Sequence, residues 1–312
     1  MIWLVTVVLA IGCSDDEKPT PLPAGTPLTE SLLANAGVMI GVGDIGVCGT
    51  SGDEATAGLV DSVLIADSVQ KLETLVFTLG DNAYPSGDAG VNNYFSRCFA
   101  PSWGRPRIMR VIRPAPGNHD YDSGTASPYF RYFGDRAGPE GKGYYSYDFA
   151  GWHVISLNSE ITAGNDSAAK AQEDWLRQDL KNHPALCTLA YFHRPLFTSG
   201  SRGPNVPVRS LWDILYSARA DLILNGHEHN YERFRPQTPA GVYDSINGIE
   251  QIIAGTGGGN LTIARSPFAR NSVVRIHGHF GVLKLLLGAG EYRHAFIDID
   301  RKIWDPGGGK CH

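Results

Sequence analysis

The sequence predicts an α/β fold, with one folded domain over residues 37–312. Three features carry that prediction. Short apolar, β-branched runs alternate with segments of helical period through the first two thirds of the chain. The runs at 38–43, 74–79 and 222–225 lead into Gly-Asp or Gly-His, the composition of a strand entering a tight loop. Three further apolar runs, at 249–254, 280–287 and 291–299, have no helical segment between them. The first part therefore reads as βαβ units and the last part as antiparallel strands.

Taken in order, Met1–Gly12 is an apolar run of signal-peptide length, too short to span a bilayer. The stretch Ala10-Ile11-Gly12-Cys13 resembles a bacterial lipobox, which implies cleavage before Cys13 and a lipid on that residue. A plain secretory signal or a buried first strand are the alternatives, since no Lys or Arg precedes the run. Residues 13–36 are acidic and then Pro-rich, a tether. Val38–Gly43 reads as a strand. Glu54–Leu72 reads as a helix with Leu59, Val60, Val63 and Leu64 on one face, and Thr74–Leu79 as a strand. Asp44 and Asp81 are separated by one strand–helix–strand unit, and the equal spacing to Asn118 leaves room for another passage through the sheet. Tyr144–Phe149 and His153–Leu157 read as adjacent strands joined at Ala150-Gly151. Ala168–Asn182 reads as a helix presenting Ala168, Ala171 and Trp175. Leu186–Phe192 and Leu222–Asn225 read as strands flanking a helix at Val208–Ala218.

Composition narrows the function. With 42% hydrophobic residues over 312 positions the chain can bury a real core. A net charge of −5 without a Lys/Arg block excludes a general nucleic-acid binder and a broad basic membrane face. The 37 Gly and 19 Pro indicate many ordered loops, and the pattern excludes collagen, coiled coil and disorder. Apart from Cys13, four cysteines remain: Cys48, Cys98, Cys187 and Cys311. An even number without CxxC spacing in an exported chain indicates two disulfides rather than a zinc site. Of the three pairings, Cys48–Cys98 with Cys187–Cys311 is preferred, because Cys48 and Cys98 each follow a loop rich in ligand-type residues. Four buried thiols are the alternative.

In open α/β sheets the site lies at the carboxyl ends of the strands. That is where the ligand-type residues fall: Gly43-Asp44-Ile45-Gly46, Gly80-Asp81-Asn82-Ala83-Tyr84, Gly117-Asn118-His119-Asp120, His193-Arg194-Pro195, and Gly226-His227-Glu228-His229 followed by Tyr231-Glu232-Arg233. Two Asp, one Tyr, one Asn and three His offer only oxygen and nitrogen donors, a set for borderline or hard ions. Seven donors exceed what one ion takes and suit two that share a carboxylate. No G-x-S-x-G segment occurs, so a serine nucleophile is not indicated.

These motifs, in this order, resemble the calcineurin-like metallophosphoesterase superfamily, and within it the purple acid phosphatase branch, over most of residues 37–300. The sequence departs from the pattern at Ala190, where Val is common, and at Asp120, where plant-type members carry Glu. The residues before 37 do not hold the plant enzymes' long N-terminal β-domain, so the small bacterial form is the closer comparison. The resemblance implies a four-layer αββα sandwich of two mixed β-sheets flanked by helices. It implies Asp44, Tyr84 and His229 at a first metal, Asn118, His193 and His227 at a second, and Asp81 bridging both. Asn118 and His119 would face substrate, with His119 the catalytic proton donor. A phenolate ligand implies Fe3+ at the first site; Zn2+, Fe2+ or Mn2+ would fill the second. The implied activity is hydrolysis of small phosphomonoesters by a hydroxide held between the ions, with no covalent enzyme intermediate. Phosphodiesters or nucleotides are the alternative substrates, and a surface protein that binds metal or phosphate without turnover is the reading from another class. No nucleic acid beyond nucleotide substrates is implied, and the membrane is reached only through Cys13.

The remaining polar residues carry plainer readings. Arg202 and Asn205 lie in a loop shortly after His193, within reach of substrate. His153 reads as a core or sheet-face residue. His277 and His279 read as loop residues, and Gly257-Gly258-Gly259 as a turn. Glu232 and Arg233 read as braces of the His227–His229 loop through ion pairs.

Overall fold

The computed structural model describes residues 36–86, 93–122, 124–162 and 166–312. The signal segment, Cys13 and nearly all of the tether lie outside the described residues. In chain order the elements are β1 (Gly37–Val42), β2 (Gly46–Val47), α1 (Gly52–Val69), β3 (Glu73–Leu79), β4 (Ala83–Tyr84), α2 (Pro106–Val111), β5 (Ile112–Ala115), α3 (Ser127–Phe133), β6 (Tyr145–Phe149) and β7 (Trp152–Ser156). They continue with α4 (Asp166–Asn182), β8 (Cys187–Tyr191), α5 (Arg209–Ser217), β9 (Leu222–Asn225), β10 (Tyr231–Gln237), β11 (Ile249–Ala254), β12 (Ser272–Ile276), β13 (Gly281–Gly288), β14 (Glu291–Asp298) and β15 (Ile303–Lys310).

Two mixed sheets, flanked by helices, form the molecule. One has six strands in the order β15-β14-β13-β1-β3-β5, the other seven in the order β12-β10-β11-β9-β8-β7-β6. Parallel pairing links β1 to β3 and β3 to β5 in the first sheet. In the second it links β7, β8, β9 and β11. The central strands β1, β8, β9 and β11 are buried along their whole length because both of their faces are covered. Strand alternation sorts their side chains into two cores. Val154, Leu189, Tyr191, Leu222 and Leu224 join residues of β1, β3 and β13 in the core between the sheets. Ile155, Ala190, Phe192 and Ile223 point the other way, onto α4 and α5 through Leu176, Leu211 and Leu215. Polar contacts also cross between the sheets: the Trp152 indole donates to the Gly288 carbonyl at 3.0 Å, and Tyr191 Oη to the Arg113 carbonyl at 3.1 Å.

Several elements differ from the sequence reading. The buried side of α4 runs through Gln172, Leu176 and Asp179, and Ala171 is exposed. The helix follows β7 onto the outer face of the second sheet, and the sheet, not the apolar count, sets which side is covered. The last part of the chain is not one antiparallel unit. β11 lies parallel to β9 in the seven-stranded sheet, whereas β13 and β14 pair in the six-stranded one. Six strands, β2, β4, β5, β10, β12 and β15, went unread. β15 carries Pro306 and three glycines, composition that argues against a strand except at an edge, where it lies. The β6–β7 hairpin turns at Ala150 and Gly151, both at positive φ (51° and 79°), as a two-residue hairpin loop demands. Cys48 is bonded to Cys98 and Cys187 to Cys311. Among the described residues no helix is long and apolar enough to cross a membrane.

Candidate metal centre

The carboxyl ends of β1, β3 and β5 in one sheet and of β8 and β9 in the other meet at one edge of the sandwich. Each delivers a donor there: Asp44 after β1, Asp81 and Tyr84 after β3, Asn118 after β5, His193 after β8, His227 and His229 after β9. The loops are tied through their backbones. The Asp44 and Ile45 N–H groups donate to the Gly80 and Asp81 carbonyls at 3.0 and 2.9 Å, and the Gly226 N–H to the His193 carbonyl at 3.0 Å. Asp44, Asp81 and His227 all sit at positive φ (62°, 50° and 72°), a region costly for residues with a Cβ. The surrounding hydrogen bonds hold that strain. Gly80 is a positional need: at φ 84° its Cβ would stand 2.6 Å from His193 Nδ1.

The donors form two groups that share one carboxylate. Tyr84 Oη lies 2.9 Å from Asp44 Oδ1, 2.9 Å from Asp81 Oδ2 and 3.1 Å from His229 Nε2. His193 Nε2 lies 3.1 Å from Asn118 Oδ1, 3.1 Å from His227 Nδ1 and 3.3 Å from the same Asp81 Oδ2. The far nitrogens fix the tautomers. His193 Nδ1–H donates to the Leu79 carbonyl and His229 Nδ1–H to that of Asn260, both at 2.8 Å, which leaves each Nε2 facing inward. Asp44, Asp81, His193 and His229 are at most 5% exposed.

Charge is distributed unevenly across this buried set. Burial would raise both carboxyls, but His229 holds Asp44 below the usual carboxylate range, and His193 and His119 do the same for Asp81. Burial would depress His193, yet Asp81 and Asp44 carry it up to about 10. Burial and the charge on His193 push His227 down to about 3. Burial, then the two carboxylates, raise the Tyr84 phenol well above its ordinary value. A phenol has one proton, yet three groups able to accept it surround Tyr84 Oη, and the proton that His193 carries bridges its Nε2 to His227 Nδ1 across 3.1 Å, a place an ion would take. Lone pairs converging in a buried space fit cations, and the hard N/O donor set fits the ions expected.

His119 flanks this set without joining it. Its N–H donates to Asp81 Oδ1 at 2.8 Å, its Nδ1 lies 2.6 Å from the Pro85 carbonyl and 3.0 Å from Asp122, and its Nε2 faces Asp81 at 3.9 Å from an open side. Arg202 comes to the centre, with Nη2 at 3.2 Å from His229 Nε2. Asn205 does not take part in these contacts; its N–H donates to the Pro195 carbonyl. A cavity of about 400 Å³ opens beside Tyr84 and His229, lined also by Val47, Pro85, Arg202, Asn260 and Thr262. Larger clefts of about 590 and 580 Å³ lie elsewhere, against α4–α5 and α1.

Two braces were missed in the sequence. Asp120 is fully buried and accepts from the Asn82 and Gly117 N–H groups and the Asn82 amide, tying the Asp81 and Asn118 loops together. Burial and the Asp81 charge push its carboxyl up to about 7. Glu228, between the two ligand-type histidines, accepts from the Arg202 N–H at 2.8 Å and the Gly203 N–H at 3.2 Å and so seats the Arg202 loop. Its place in Gly-His-Glu-His was the available signal. Glu232 and Arg233 do not brace the His227–His229 loop. Glu232 accepts from Ser199 and Ser272, and Arg233 pairs with Asp305 at 2.6 Å and Glu250 at 3.7 Å, joining the two sheets. Their strand, β10, leads away from the centre, which the unread strand concealed. His279 packs on Trp304 away from the centre. Gly257 and Gly259 donate to the Gly43 and Asp44 carbonyls, so the glycine turn supports the first loop.

The calcineurin-like phosphoesterase profile matches residues 39–231. Purple acid phosphatase 21 of Arabidopsis thaliana is 28% identical over 193 residues, 56% of this chain and 42% of that protein. Acid phosphatase type 7 of Homo sapiens is 27% identical over 281 residues, 77% of this chain and 61% of that one. The chain thus spans roughly half of these relatives' length. Among solved structures, the purple acid phosphatase PPD1 of yellow lupin superposes with a TM-score of 0.72 at 19% identity, covering 88% of this chain and 54% of that one. GAP50, the anchor in the inner membrane complex of Plasmodium, superposes at 0.67 and 12% identity over 89% of each chain, so the fold alone does not fix a role. Matched over more than half its length by the profile, and carrying the expected donors at its strand ends, the chain belongs to the calcineurin-like phosphoesterase family.

Proposed function

We propose that this chain hydrolyses phosphomonoesters at a centre of two metal ions. The observation that carries the reading is Asp81 Oδ2, which stands within 3.3 Å of both Tyr84 Oη and His193 Nε2 and so belongs to both donor groups. Asp44, Tyr84 and His229 would hold one ion, and Asn118, His193 and His227 the other. Fe3+ suits the phenolate-bearing group; Zn2+, Fe2+ or Mn2+ suits the second. Such ions draw charge from phosphate oxygens and acidify water.

The chain's own groups do the rest. Asp120 and Glu228 hold the loops that carry the donors. Arg202 offers only N–H donors, and the lone pair it touches on His229 is one an ion would take. Displaced from it, the guanidinium is placed to bind phosphate. Pro85 and Asp122 orient His119 so that Nε2 can give a proton to the leaving oxygen. The two disulfides support export to an oxidising compartment, with a lipid on Cys13 or release as a soluble protein.

The test combines metal content with two substrates. Iron- and zinc-supplied protein should retain about two ions per chain at the centre, and it should cleave an aryl phosphate in preference to a bis-aryl phosphate. Full activity with a single ion would sink the two-ion reading. A preference for the diester would assign the same scaffold to phosphodiesters instead.

A further inference from the structure

Among the described residues, two sets of three His, Cys, Asp or Glu side chains bring their ligand atoms within 4.8 Å of one another. One is Asp81, His193 and His227. The other is His153, Asp179 and His183, which the proposed reaction does not use. We infer that His153, Asp179 and His183 form a separate site for a transition-metal ion of the zinc type.

Topology sets this site apart from the first. His153 is the second residue of β7, paired with Thr188 near the start of β8, whereas the catalytic donors follow the ends of the parallel strands. The second set therefore lies at the opposite edge of the seven-stranded sheet. Asp179 sits in the last turn of α4. His183 follows one turn later, with its N–H still bonded to the Asp179 carbonyl at 2.9 Å, so the two side chains share one helical face. The His153 and His183 rings stand 5.1 Å apart at 75°.

The surroundings have the form that metal-bound histidines require. A ligating imidazole usually donates its other N–H to a carboxylate, which fixes the tautomer. His153 does so: Nδ1 lies 2.9 Å from Asp148 Oδ1, which turns Nε2 toward Asp179. Asp179 in turn accepts from Ser146 Oγ at 2.8 Å through its second oxygen. His153 Nε2 and Asp179 Oδ2 are 2.8 Å apart, a hydrogen bond. Zinc replaces the proton between them, and tetrahedral bonds of about 2.0–2.2 Å need these atoms to part by only about half an ångström. The proton leaves to solvent. His183 is exposed and lines the open cleft of about 590 Å³, which gives an ion its path and leaves a coordination position for water. An ion here would pin the end of α4 to the β6–β7 hairpin. It would act on stability, not on hydrolysis.

The experiment compares the full chain with His183→Gln, a replacement at an exposed position. Both are incubated with excess Zn2+, freed of unbound ion, and analysed for zinc. Wild type should retain one more zinc per chain than the variant, whatever number the catalytic centre holds. Aryl phosphate hydrolysis should be equal in the two, and added Zn2+ should raise the Tm of wild type more than that of the variant. Asp148→Asn should keep the stoichiometry at saturation and weaken the extra site about 10–100-fold. Equal zinc content in wild type and His183→Gln would overturn the proposal. So would a loss of zinc that takes hydrolysis with it, since that would place His183 in the catalytic centre.

Discussion

Tyr84 is the residue whose environment is most specific to this chain's chemistry. At the position two residues after Asp44 stands Gly46, which has no side chain to donate, and the phenol reaches in from the next loop to fill that side of the centre. A phenolate bound to Fe3+ absorbs in the visible. Tyr84→Phe keeps the ring over His119, whose centroid lies 4.5 Å away, and removes only the oxygen. The iron-loaded variant should lose the visible band and bind the first ion more weakly while the second stays; an unchanged spectrum would remove Tyr84 from the ligand set. His119 calls for a different measurement. It touches Asp81 through its backbone, and in the proposed reaction its ring serves substrate instead of an ion, so His119→Ala should keep both ions. Rate should fall by about 10²–10⁴-fold on esters with poor leaving groups and less on activated aryl esters. Equal losses on both would argue against proton transfer.

At the scale of elements, the centre depends on loops held by other loops. The two-residue strands β2 and β4 pair in parallel beside Asp44 and Tyr84, and the Cys48–Cys98 disulfide ties the end of β2 to the helical turn at Phe95–Phe99. Cys98→Ser should cost on the order of 2–4 kcal/mol in urea unfolding. Because Cys98 packs against the Tyr84 carbonyl, the variant should also weaken the first ion more than the second. An unchanged ion affinity with the full stability loss would show that the disulfide serves the fold alone. The motifs at the ends of β1, β3 and β9 were legible because each is a short apolar run followed by glycine and a ligand-type residue, and that of β8 because its apolar run ends directly in His193. The bracing roles of Asp120 and Glu228 were not, since the segment that holds a carboxylate does not say which backbone N–H groups of another loop it will accept from, even where, as for Glu228, its place in a motif draws notice.

At the scale of the whole molecule, a buried polar cluster joins the sheets behind the centre. Glu250 of β11 lies 3.7 Å from Arg233 of β10 and 3.4 Å from His294 of β14, and Arg233 also holds Asp305 of β15. Burial pushes the Glu250 carboxyl up to about 7 against the pull of Arg233, and pushes His294 down to about 4. The folded chain therefore binds a proton at Glu250 that the unfolded chain has released between about pH 4.5 and 7, and this residue's contribution to stability falls as pH rises through that window. Glu250→Gln removes the titration. Its stability relative to wild type should improve with pH from about 4.5 to 7, by up to roughly 3 kcal/mol, and level off above. A difference that does not vary with pH would show that Glu250 is ionised throughout. His294 works in the opposite sense, gaining stability as pH rises from about 4 to 6.5, so the wild-type profile alone hides both.

The sequence alone determined the class of fold, the order of the ligand-type residues and their location after strands, because apolar period and glycine-bounded turns are local properties of the chain. It also limited the cysteines to three pairings, of which the molecule contains the one that joins neighbouring loops. Only the tertiary structure decided that β11 leaves the company of β13 and β14 for the other sheet, that Gly- and Pro-rich β15 pairs as an edge, and that Arg233 serves the sheet interface instead of the histidine loop. It alone brought Arg202 to His229 and set His153 between Asp148 and Asp179. Those outcomes depend on which surfaces remain to be covered once the two sheets pack, and on which buried charges then need partners. Both are properties of residues far apart in sequence, and no local spacing encodes them.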